Sequence, residues 1–85
     1  MDKRFSDRGW EHYLFWQSED RKILKRINEL IKDIDRNGVA KGIGKPEKLK
    51  HQDGWSRRID EKNRLVQELD DKNCLNIISC KGHYE

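Results

Sequence analysis

The stretch DRKILKRINELIKDIDRNG, Asp20 to Gly38, constrains the fold more than any other. Ile23, Ile27, Leu30, Ile31 and Ile34 recur three and four residues apart, so on a helix they form one apolar stripe with charged residues around the rest. Asn37-Gly38 supplies the stop. Upstream, Ser6 or Asp7 can cap a first helix through DRGWEHYLFWQ, with Trp10, Tyr13 and Leu14 on one face and Phe5 beside them. Gly9 is the weak point of that helix. The polar break SED separates the two segments and predicts a helical hairpin.

The pattern then changes. VAKGIGKPEKLKH holds two of the six glycines and the only proline, so it reads as a loop ending in a short strand. After Gly54, the runs WSRRI, NRLVQEL and CLNIISC are strand-like, and the turn-forming DEK and DDKN between them predict an antiparallel meander. KRF at the start is a further strand candidate. Helices followed by strands define an α+β fold: two N-terminal α-helices packed on one face of a small antiparallel β-sheet, the other face open.

Eighty-five residues, 33% hydrophobic and 41% charged, imply one domain over 1–85 with a small core that a partner could stabilise. No apolar run approaches a membrane span, and MDKRFSDRGW lacks the apolar stretch of a signal peptide. The expectation is a cytoplasmic protein with no membrane partner. Cys74 and Cys80 fall on one strand, about 20 Å apart at the usual rise, beyond disulfide reach. His12, His51 and His83 are scattered and no Cys-x-x-Cys occurs, so neither a metal nor a cofactor is expected. The net charge of +3 is unevenly spread, with eight Lys/Arg against four Asp/Glu between Lys41 and Arg64. Such a patch suits a phosphate backbone or an acidic partner, although a solvated lysine-rich loop has the same composition.

With one face covered by helices, a ligand belongs on the other. Lys45, Glu47, Lys50, His51, Arg57, Arg58 and Arg64 converge near it. An odd-numbered loop around DEK would pair Arg58 with Arg64 on one face, and an even one would separate them. Sequence leaves that parity open. Singly, Glu47 reads as a surface carboxylate, Arg58 and Arg64 as solvating strand charges, and His83-Tyr84 as a frayed tail.

Their order along the chain changes that balance. FWQSEDRKILKRINELIKDIDRNG, GIGKPEKLKH, WSRRIDEKNRLV and the closing HY resemble the YoeB/Txe toxins, a branch of the RelE-like bacterial toxins, from about Trp10 to Tyr84. The resemblance implies a microbial RNase-like fold and a ribosome-dependent messenger-RNA endonuclease, neutralised by a YefM/Phd-type antitoxin, with homodimerisation left open. It implies Glu47 as general base, Arg64 as the transition-state arginine, His83 as general acid and Tyr84 as a substrate-positioning residue. Lys50 and Arg58 match basic residues lining the site, and Lys45 and Arg57 join them as candidate substrate contacts.

The chemistry is coherent by itself. Cleavage of RNA by its own 2′-hydroxyl needs a base for that proton, an acid for the leaving 5′-oxygen, and fixed positive charge on the phosphorane. An arginine keeps its charge and offers a fork matching phosphate oxygens, and an imidazole titrates near neutrality. Gly82 lets the chain bend so that His83 turns toward RNA. Several positions depart from the family pattern: Glu85 follows the Tyr, Asn63 stands where His is common, Gln67 where Tyr is common, Lys48 where Pro is common, and HQDGW is short. Two other classes compete with the nuclease. One is a toxin of the same fold that inhibits gyrase by binding; the other is a non-catalytic RNA-binding protein.

Overall fold

A computed structural model describes residues 1–83. The elements run β1 (Asp2–Phe5), α1 (Asp7–Glu19), α2 (Arg21–Asn37), β2 (Glu47–Lys48), β3 (Trp55–Arg58), β4 (Arg64–Leu69) and β5 (Cys74–Ser79). Ser6 caps α1, its Oγ accepting from Gly9 N at 3.0 Å. Asp20 both ends α1 and caps α2, its carboxylate accepting from Lys22 N and Ile23 N. That shared residue makes the hairpin tight. Gly38, at φ 86°, closes α2 as the Asn-Gly pair predicts.

The α2 stripe is covered as its periodicity requires. Ile27, Leu30, Ile31 and Ile34 are buried against Leu65, Leu75 and Ile77 of the sheet, with Trp16, Ile59 and Cys80 in the same cluster. Ile23 is only half-buried at its edge. Gly9, the apparent defect in α1, has a packing reason: a Cβ there would lie 2.4 Å from the carbonyl oxygen of Ile77. Glycine lets α1 rest on the β5 backbone.

The sheet order is β1-β5-β4-β3-β2. Strands β2 to β5 are antiparallel neighbours, but β1 runs parallel to β5, with Phe5 opposite Ile77, so the sheet is mixed rather than purely antiparallel. Antiparallel order comes from short hairpins, whereas β1 and β5 lie at opposite ends of the described chain and no hairpin dictates their direction. The β3–β4 loop, Ile59 to Asn63, is odd-numbered, and Arg58 pairs directly with Arg64. Both therefore project from one face. Arg57, one position along, projects from the other.

That alternation corrects one expectation. Arg57 is not a substrate contact: it is fully buried under the helices. Its guanidinium is paired with Asp33 and donates to the carbonyls of Gly38 at 2.7 Å, Ile43 at 3.0 Å and Lys41. It fastens the loop after α2 to the sheet. The neighbouring Arg57 hydrogen bond, foremost, holds the Asp33 carboxyl below the usual carboxylate range.

Candidate active site

The open face carries a cleft of about 440 Å³ lined by Glu47 and Lys48 of β2, Leu49, Lys50 and His51 of the following loop, Ser56 of β3, Arg64 of β4 and His83. Glu47, Lys50, Arg64 and His83, separated by up to 36 positions in sequence, share one concavity. Arg64 is the most constrained of them. Its Nε donates to Ser56 Oγ at 3.0 Å, and Nη2 approaches the carbonyls of Lys45 at 3.4 Å and Ser56 at 3.5 Å. Only 12% of its side chain is exposed, and Glu47 Oε2 stands 3.7 Å from Nη2 while remaining largely in solvent. A positioned cation next to an accessible carboxylate is an arrangement that can hold a phosphate and take a proton beside it.

Lys50 and His51 are exposed on the cleft wall. Lys45 enters through its carbonyl, which supports Arg64, and does not line the cleft. Arg58 stands directly across from Arg64 with no ion-pair partner among the described residues. Two like charges opposite each other are unfavourable without an anion between or beside them. Tyr84, expected to position substrate, lies outside the described residues.

His83 is delivered by an anchored segment rather than a loose end. Trp16 Nε1 donates to the Cys80 carbonyl at 2.8 Å, Cys80 N donates to His12 Nδ1 at 3.1 Å, and Arg64 N donates to the Gly82 carbonyl at 3.0 Å. Gly82 N donates in turn to Asn63 Oδ1 at 2.8 Å, and the Asn63 amide donates to the Asp60 carboxylate. Gly82 takes φ 89°, a left-handed bend suited to glycine. Burial pushes the Cys80 thiol up to about 12, which suits packing and not nucleophilic chemistry.

Three contributors were not read from sequence. Ser56, 4% exposed, orients Arg64; its one available signal is a hydroxyl residue where strand alternation puts it beside the arginine face. Asn63 and His12 hold the backbone before His83, and both depend on partners far away in sequence. Asn63→Ala should remove the acceptor of the Gly82 N–H in a half-buried hydrogen bond, lowering stability by about 0.5–1.5 kcal/mol and loosening His83. The expected result is a lower Tm in a thermal melt, and Asn63→Asp should not rescue it, because it keeps an acceptor for Gly82 N but sets a second carboxylate against that of Asp60.

Comparison with known proteins agrees with this architecture. Residues 5–84 match the family described as YoeB-like toxin of bacterial type II toxin-antitoxin system. A relative, Toxin YoeB of Escherichia coli (strain K12), is 49% identical over 82 residues, covering 94% of this chain and 95% of that protein. Toxin YoeB of Synechocystis sp. is 51% identical over 87 residues, covering 100% and 99%. Among solved structures, the YoeB dimer from Staphylococcus aureus superposes with a TM-score of 0.91 at 50% identity, covering 99% of this chain and 98% of that one. The heterotetrameric YoeB-YefM complex from the same organism gives 0.90 at 50% identity, with the same coverage. The chain belongs to the YoeB-like toxins of bacterial type II toxin–antitoxin systems. Among the described residues, no helix is long and apolar enough to cross a membrane.

Proposed function

We propose that this toxin is an endoribonuclease that cuts translated messenger RNA on the ribosome. The observation that carries the reading is the cleft shared by the Glu47–Arg64 pair and His83 on the open sheet face. Glu47 takes the proton of the ribose 2′-hydroxyl as its oxygen attacks the adjacent phosphorus. Arg64, supported by Ser56, sits where the phosphorane oxygens gain charge. Protonated His83 gives its proton to the 5′-oxygen as the P–O5′ bond breaks. The products are a 2′,3′-cyclic phosphate and a 5′-hydroxyl. Lys50 and Arg58 hold the flanking backbone, and Tyr84 positions the nucleotide.

The protein partner is a YefM-type antitoxin, by similarity to the Staphylococcus aureus complex, and a second copy of the chain is the companion proposal, by similarity to the dimer from that organism. With the antitoxin, the message and the ribosome as its proposed partners, the proposed location is the cytoplasm. The mechanism is tested with a ribosome-bound message carrying a 2′-deoxy sugar at the cut position. That message should survive while its all-ribose counterpart is cut within the reading frame. Equal cleavage of both would exclude attack by the 2′-oxygen.

A further inference from the structure

His83 borders two concavities. Beyond the cleft, a groove of about 120 Å³ lies between α1 and the end of β5, lined by Arg8, His12, Ser79, Lys81, Gly82 and His83. We infer that this groove is a second phosphodiester subsite, which takes the phosphate 3′ of the one being cut. The inference rests on the cleavage mechanism for its polarity only. If His83 protonates the 5′-oxygen, the nucleotide bearing that oxygen leaves past His83, and its own 3′-phosphate arrives on the far side.

The groove is built for an anion. Arg8 comes from the first turn of α1, Lys81 follows β5, and His83 closes the near end. The Lys81 ammonium lies 4.7 Å from the centre of the Phe15 ring, which holds its long side chain toward α1. His12 contributes a directed donor. Because Nδ1 accepts from Cys80 N, the neutral ring carries its proton on Nε2, and that N–H has no partner among the described residues. Burial foremost, then the charges of Lys81 and Arg8, hold the His12 ring below its ordinary 6.5, and Glu11 alone opposes them. Positive groups therefore crowd here without a compensating carboxylate at the groove wall. A bound phosphate supplies the missing charge and accepts from Arg8, Lys81 and Nε2–H together.

The polarity makes the test sharp. Three 2′-deoxy ligands that cannot be cut are titrated by chemical-shift perturbation at low ionic strength: a dinucleoside monophosphate, the same with an added 3′-phosphate, and the same with an added 5′-phosphate. The 3′-phosphate should tighten binding about tenfold, and the His12 ring signals should move with it. The double variant Arg8→Gln with Lys81→Gln, altered only at exposed positions, should keep its Tm and lose that gain, along with about 0.7 of the salt slope. No gain from the 3′-phosphate, or a gain unchanged in the double variant, overturns the subsite. A 5′-phosphate gain lost in the same variant overturns the polarity and with it the inference. The cleavage reading fails separately, when a ribosome-bound message with a 2′-deoxy sugar at the cut position is cut as readily as its all-ribose counterpart.

Discussion

Arg64→Ala should lower the rate of message cleavage by about 10²–10³ and abolish growth arrest, while leaving a folded protein. The side chain is held by Ser56 Oγ and faces Glu47 across 3.7 Å, so its geometry is set before substrate arrives. Truncation removes charge at the phosphorane without opening the main core, because the cluster beneath α2 contains Leu65 and not Arg64. Arg64→Lys keeps the charge but loses the fork and the fixed Nε contact, so it should recover only part of the rate. Cleavage of a ribosome-bound message, read beside a thermal melt, checks both variants. A folded Arg64→Ala protein with full cleavage would remove Arg64 from the mechanism.

The second large effect is on stability and comes from the adjacent strand. Arg57→Leu should destabilise the protein by about 3–5 kcal/mol, the usual cost of removing one partner from a buried pair. At about 4–8 °C per kcal/mol for a domain of this size, Tm should fall by at least about 12 °C. The loss has two parts. Asp33 is left with only Asn37 and the Ile43 amide, and the carbonyls of Gly38, Lys41 and Ile43 lose their shared donor. Arg57→Lys should not rescue, since one ammonium cannot span acceptors on three residues and a carboxylate. Activity per folded molecule, measured at low temperature, should stay near wild type. Intact stability with lost cleavage would instead return Arg57 to the substrate face. The same pair gives a pH signature. The Asp33 carboxyl is lowered on folding, so its contribution is complete above the ordinary carboxylate range and disappears as pH falls through the lowered value.

Local patterns carried much of the fold. The α2 stripe, the Asn-Gly stop and the three strand runs each depend on neighbours within a few residues, so periodicity and turn chemistry were enough to place them. The candidate site was legible in part, because Glu47, Lys50, Arg64 and His83 stand in family order and the cleft gathers all four. Arg57 and Arg58 were not separable in that way. They are identical neighbours that strand alternation sends to opposite faces, and the odd length of the Ile59–Asn63 loop puts Arg58 rather than Arg57 on the face of Arg64.

The sequence by itself determined the α+β class, the two helices and their buried face, the basic middle of the chain and the membership of a toxin family. All of these are properties of composition, spacing and order. Tertiary structure alone decided the parallel placement of β1, the burial of Arg57, the support of Arg64 by Ser56, and the anchoring of the chain before His83 by His12, Trp16 and Asn63. These depend on strand direction, register and hydrogen bonds that reach up to 72 positions along the chain. Such pairings are selected by the packing of the whole molecule, and no local preference of the residues involved encodes them.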